Sequence, residues 1–277
     1  MLVVAMNEVR VRSWCELTEE LFRDSWNESL GRFRSPYAFR GTSSAAHRLE
    51  TSLFRLGGDH RRVEIPLLRS FRKYAFRGGP HSDSIWYWLS LAQHHGLPTR
   101  VLDWSWSPYV ALHFATSDLE RYADDGAIWC VDFKKAHRLL PPRLRRKLAQ
   151  EDATTFTVEM LRDVAPSLRE LERLSRQEFV IFFEPPSLDE RIVNQFALFS
   201  VLSNPARAFD EWLAGRPELY RRIVIAAELK PEARDKLDQA NITERVLFPG
   251  LDGLSAWLRR HYSPSPVKRR ARQPRGR

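Results

Sequence analysis

The sequence predicts an α+β fold in a single domain, helices packed around a mixed sheet. Short aromatic or β-branched runs bounded by Gly and Pro recur along the chain, and stretches with apolar residues at three- and four-residue spacing separate them. The two kinds of segment show neither regular βαβ alternation nor a repeat period. A length of 277 residues suits one large domain, and a hydrophobic fraction of 43%, with nine Trp and 16 Phe, is enough for a core and excludes wholesale disorder.

The elements follow in order. The apolar start of the chain lacks a basic region before it and reads as a first strand, not a signal peptide. Ser13 and Glu16 stand at capping-box spacing, and a helical pattern runs through Leu17, Leu21, Phe22, Trp26 and Leu30 to Gly31. Residues 37–41, aromatic and bounded by Pro36 and Gly41, read as a strand. Residues 61–76 form an amphipathic helix closed by Gly78-Gly79-Pro80, and Asp83 or Ser84 caps a helix that stops at Gly96. Residues 100–104 are a strand. Ser107-Pro108 then opens a helix to about Tyr122, and Asp125-Gly126 turns the chain into a buried strand over 127–133. Residues 134–175 are helical, broken at Pro141-Pro142 and Pro166. Strands are expected at 178–184, 196–202, 220–229 and 243–248, with a helix from about Pro231 and a closing helix at 254–262.

The net charge of +9 sits mostly at the end of the chain. Residues 263–277 hold six basic side chains and no acid, leaving 38 basic against 35 acidic residues over 1–262, a net of +3. The division is thus 1–262 as the folded domain with a helical lead-in, and 263–277 as a disordered basic tail suited to contact with a polyanion. No run reaches the roughly 18 apolar residues of a membrane helix. Cys15 and Cys130 form no CxxC pair, which excludes a disulfide framework and a thiolate zinc site and suggests the reducing cytoplasm. The histidines make no HExxH or HxH pattern, so no metal is expected, and GxSxG, Walker A and GxGxxG motifs are absent.

Two stretches carry chemistry. Residues 93–108 (QHHGLPTRVLDWSWSP) deliver Thr99, Arg100, Asp103 and Ser105 among Trp104 and Trp106 just after a Gly96/Pro98 turn. Such a run makes either a pocket wall or an Arg100–Asp103 ion pair with Trp104 as core. Arg40 lies in an aromatic strand beside Gly41. A guanidinium there needs a carboxylate partner or faces a cleft and binds an anion, and Gly41 leaves space for a ligand to approach the backbone.

Taken together, AFRGTSS (38–44), TSLFR (51–55), LAQHHGLPTRVLDWSWSPYVALHFA (91–115), RIVNQFALFSV (191–201) and LFPGLDGLSAWL (247–258) closely resemble the FRG-domain family, named after its aromatic-Arg-Gly motif. The resemblance implies distant kinship with ADP-ribosyltransferases and an ADP-ribosyltransferase-like fold. It suggests NAD as substrate, without a metal, and a protein or nucleic-acid acceptor, in a toxin or phage-defence effector. Arg40 resembles the arginine that holds NAD, and residues 102–105 with 107–115 resemble the wall of the nicotinamide pocket, where Trp104 or Trp106 would stack. In arginine-modifying transferases a glutamate directly precedes a VLFP-like strand. Here Arg245 takes that place and Glu244 is one residue earlier, so the carboxylate is Asp103 or Glu244. The candidate catalytic residues are therefore Asp103 and Glu244. The candidate nucleotide-binding residues are Arg40, Gly41, Thr42, His94, Arg100, Trp104, Ser105 and Gln195. The competing readings are an NAD glycohydrolase and a non-catalytic module that binds nucleotide or nucleic acid. Arg40 and a carboxylate of this set lining one pocket is the geometric condition for the enzyme.

Overall fold

The structure, a computed structural model, describes residues 7–75 and 83–263. The expected turn at Gly78-Gly79-Pro80 and the basic tail beyond Ser263 lie outside the described residues. The strands are β1 (Glu8–Val11), β2 (Trp26–Asn27), β3 (Arg32–Phe33), β4 (Tyr37–Thr42), β5 (Val101–Ser105), β6 (Gly126–Asp132), β7 (Val180–Phe183), β8 (Ala197–Leu202) and β9 (Tyr220–Ile225). All but β2 and β3 form one seven-stranded sheet in the order β1-β9-β6-β4-β5-β8-β7. β1 runs parallel to β9 and every other pairing is antiparallel, so the sheet is mixed, and helices surround it in a single α+β domain.

The pairing is uneven at one place. β4 pairs with β6 along its whole length, from Tyr37–Asp132 to Thr42–Ala127, and β5 pairs with β8 from Val101–Val201 to Ser105–Ala197. Between β4 and β5 the only paired residues are Phe39 and Ser105. The sheet is thus two blocks, β1-β9-β6-β4 and β5-β8-β7, joined at that pair and parting beyond it.

Strand alternation divides the core. On one face of β6, Ile128 and Cys130 pack with Phe39, Ile223 and Ile225 under the helices Trp14–Phe22, Pro108–Thr116 and Lys230–Gln239. On the other face, Trp129 and Val131 join Ala38, Trp104, Phe182, Phe209 and Trp212. A third cluster packs Trp86, Trp88 and Leu89 of the helix Ile85–His94 against Val101, Ile181, Phe183 and the short helices between Pro142 and Arg173. Glu64 and Glu172 both pair with Arg100, which is 3% exposed. The alternative Arg100–Asp103 ion pair is therefore not the one that forms.

Several expected boundaries move for physical reasons. The first helix ends at Phe22, where Asp24 takes a left-handed φ of 59°, and Trp26 then pairs with Phe33 in a two-stranded ribbon. Trp26 and Leu30 have helical spacing, but both remain exposed, with no element among the described residues covering them. The helix after Ser107 stops at Thr116, and Asp118 caps a separate 3₁₀ turn, Leu119–Arg121. The strand expected at 220–229 ends at Ile225 and gives way to a 3₁₀ turn, Ala227–Leu229. The strand expected at 243–248 is a helix, Glu244–Leu247, because the Thr243 hydroxyl accepts the Val246 N–H and sets a helix start.

Two buried histidines make stability depend on pH. Arg234 Nη1 donates to His113 Nδ1 at 2.8 Å, and the Phe182 N–H donates to His137 Nε2 at 2.9 Å, so each ring must keep a lone pair. Burial, reinforced by Arg234, pushes His113 from 6.5 down to about 3, and burial pushes His137 down to about 4. Below the unfolded value the unfolded chain binds protons that the folded chain refuses, so this stability is complete above about pH 6.5 and falls as pH drops toward 4. Each histidine should cost about 1.4 kcal/mol at pH 5.5, about 3 kcal/mol together. Urea unfolding at pH 7.5 and pH 5.5 measures it; equal stabilities would show that both rings accept a proton in the fold.

Candidate functional site

The parting of β4 from β5 opens a cleft of about 210 Å³. Phe39, Arg40 and Gly41 of β4, Asp103, Trp104 and Ser105 of β5, Gln93 and His94 at the end of the helix Ile85–His94, and Phe114 line it. Arg191, Ile192, Gln195, Ala197 and Phe199 close it from the side of β8.

Arg40 sits where the ladder fails. Its Nη1 donates to the Asp103 carbonyl, in the stretch of β5 before Ser105 that is not paired with β4, and Asp103 Oδ2 is 4.0 Å from the same nitrogen. Nε of Arg40 is buried without a hydrogen-bond partner, and the side chain is 23% exposed. Burial lowers this guanidinium from its ordinary range, and Asp103 works against that. A cation with one strong bond and an unsatisfied donor is suited to an anionic or carbonyl-bearing ligand.

Asp103 is held by a short relay. Thr99 Oγ1 donates to Gln93 Oε1, which turns the amide so that Gln93 Nε2 donates to Asp103 Oδ2 at 2.7 Å. The carboxylate is 56% exposed and free to meet a ligand. The opposite wall is also locked: Ser105 Oγ donates to Gln195 O at 2.7 Å, and Gln195 Nε2 donates to Leu247 O at 2.9 Å. His94 Nε2 lies 2.7 Å from Asp189 Oδ2, and Arg191 Nη1 reaches His94 O at 3.5 Å. Burial would raise the Asp189 carboxyl, but the Ile192 N–H and His94 beside it hold it below its ordinary value.

Of the residues singled out from sequence, Arg40, Gly41, His94, Asp103, Trp104, Ser105 and Gln195 line this cleft, and the others do not. Arg100 is buried behind it against Glu64 and Glu172. Thr42 is buried in the sheet, its hydroxyl 3.4 Å from Ala127 O. Glu244 is occupied by Arg260, with bonds of 2.7 and 2.8 Å, and lies 3.6 Å from Arg234. Burial would raise its carboxyl, but those arginines hold it at about 2, in a separate depression that it lines with His113. Glu244 is thus bound to arginines and stands outside the cleft of Arg40 and Asp103. Gly41 makes room for protein and not for ligand, since a Cβ there would lie 1.8 Å from Ala111 O in the helix Pro108–Thr116.

Neither tryptophan stacks in the cleft: Trp106 does not line it, and Trp104 is nearly buried. Trp104 is 4% exposed, donates from its indole to Ser200 Oγ at 2.7 Å, and packs on Phe182 and Phe209. Trp106 lies edge-on against Phe133 at 4.9 Å. The aromatic walls are Phe39, Phe114 and Phe199. Sequence reasoning missed Gln93, Arg191 and these phenylalanines, although Gln93 stands at the head of the 93–108 stretch and Phe39 is the aromatic residue of the AFRG segment.

Residues 35–124 match the family model of the FRG domain, while no curated protein and no solved structure matches the chain. The matched segment contains Arg40, Gln93, His94, Asp103 and Ser105; Arg191, Gln195 and Phe199 come from beyond it. Among the described residues no group of three or more His, Cys, Asp or Glu could hold a metal ion, and no helix is long and apolar enough to cross a membrane.

Proposed function

We propose that the cleft takes the nicotinamide–ribose end of NAD and transfers ADP-ribose to a macromolecular acceptor. The observation that carries this reading is that Arg40 and one carboxylate, Asp103, face a single apolar-walled cleft at the split in the sheet. Its volume, about 210 Å³, is below the roughly 300–1,000 Å³ of sites that enclose a whole ligand, so it suits one heteroaromatic ring and part of a ribose. Phe39, Phe114 and Phe199 supply apolar surface for the ring, and Arg40 holds a phosphate or ribose oxygen.

Transfer breaks the bond between ribose C1′ and the nicotinamide nitrogen, and the departing ring keeps the electron pair. The ribose becomes oxocarbenium-like, and a carboxylate beside it stabilises the charge as it develops. Asp103, the carboxylate that lines the cleft, would supply it, and the Thr99–Gln93 relay supports this by orienting the carboxylate.

Incubation with labelled NAD and bacterial lysate tests the reading, with label on protein, RNA or DNA as the expected result. Failure to bind NAD would overturn it; binding without turnover would leave a nucleotide-binding module. Arg40→Ala should weaken NAD binding by about 10- to 100-fold, the worth of a charge-assisted hydrogen bond. The fold should survive because Asp103 is left exposed and not as a buried lone charge. Unchanged affinity in isothermal titration would remove Arg40 from the site.

A further inference from the structure

A second depression, of about 420 Å³, adjoins the cleft and shares His94 and Arg191 with it. Asp189, Glu190, Phe248, Pro249 and Asp252 form the rest of its wall, and the Arg191 guanidinium lies over the Phe248 ring at 5.0 Å. Their common wall holds an imidazole that is only 9% exposed. His94 Nε2 is bonded to Asp189, while no protein group among the described residues bonds its Nδ1. Asp189 is itself fixed: Oδ1 accepts the Ile192 N–H at 3.1 Å as the cap of the helix Glu190–Asn194.

We infer that His94, oriented by Asp189, is the general base that deprotonates the acceptor nucleophile as it enters from the second depression. This rests on the NAD reading above. The lone pair of an acceptor O–H or N–H forms the new bond to ribose C1′, and the C1′–nitrogen bond breaks toward nicotinamide. The acceptor proton passes to His94 Nδ1. The resulting imidazolium faces the Asp189 carboxylate, which stabilises it without taking the proton. Arg40, Asp103 and Arg191 line the cleft with His94; Glu190, Arg191 and Asp252 line the second depression with it, and His95 lies edge-on at 5.1 Å. Asp189 is a positioning residue here, and His94 a catalytic one.

The test uses the full chain, NAD labelled in the nicotinamide ring, and bacterial lysate as the acceptor source. Nicotinamide release is followed from about pH 5 to 8, the range in which imidazoles titrate, with NAD affinity measured in parallel. The wild type should show one ascending limb. His94→Asn should abolish that limb and slow release by about 10²- to 10⁴-fold, with NAD affinity changed less than about threefold. Asp189→Asn should keep the limb but move it to lower pH, because the imidazolium loses its counter-charge; this variant carries the test if His94→Asn does not fold. A limb and rate unchanged in both variants overturn the base and leave the NAD reading standing. A wild type that binds NAD but releases nothing overturns the base and leaves a binding cleft. No NAD binding by the wild type overturns the reading and the base with it.

Discussion

Gly41→Ala is expected to cost more than about 4 kcal/mol, enough to unfold much of the population. An added Cβ would lie 1.8 Å from Ala111 O, 2.7 Å from Ala115 N and 2.9 Å from Ala111 C, all backbone atoms of the helix Pro108–Thr116. A side chain can rotate aside, whereas this helix can only retreat as a unit. It is pinned by the Ser107 cap and by buried Val110, Ala111, Leu112 and Ala115, so retreat would open the core over β4 and β6. Gly215→Ala is the matched control: no heavy atom lies within 4 Å of its Cβ position, and its φ of −90° suits any residue. Urea unfolding should place the control within about 1 kcal/mol of wild type. A Gly41→Ala protein equally stable would mean that the helix is not seated as described.

The same glycine shows how far the sequence can be read. Aromatic and β-branched runs punctuated by Gly and Pro are enough to locate β4, β5 and β6 within a residue or so, because these strands are largely buried and local pattern agrees with tertiary demand. That Gly41 was special was legible; that a helix backbone and not a ligand claims the space was not, since its neighbour Ala111 is 70 positions away. Arg100 and Asp103, three residues apart, look like natural partners, yet Arg100 turns to Glu64, 36 positions earlier. Strand alternation is the reason. Arg100 precedes β5 and points into the core, while Asp103 faces the split. Glu244 misleads differently: Val-Leu-Phe favours a strand, but Thr243 supplies a helix cap and Arg260 claims the carboxylate. The split between β4 and β5, from which the cleft arises, leaves no local mark in either strand.

Asp103→Asn is the change that most cleanly separates chemistry from scaffolding. The side chains are nearly isosteric, and an Asn oxygen can still accept from Gln93 Nε2, so the relay through Thr99 survives. Arg100 does not depend on Asp103, and the carboxylate is 56% exposed with Arg40 Nη1 only as near as 4.0 Å. Stability should therefore change by less than about 1 kcal/mol, as for other exposed charge pairs. The negative charge is what disappears. If Asp103 stabilises the oxocarbenium-like ribose, kcat should fall by about 10²- to 10³-fold, the usual cost of one well-placed electrostatic group. NAD affinity should hardly move, because that interaction belongs to the transition state and Arg40 remains to bind the ground state. A loss of affinity with kcat retained would make Asp103 a binding group, and wild-type turnover in the folded variant would exclude it from the reaction. Glu244 does not line this cleft, being paired with Arg260 and near Arg234 in a different depression. Transfer would have to proceed without any carboxylate in the cleft, because Asp103 is the only one among the described residues that lines it.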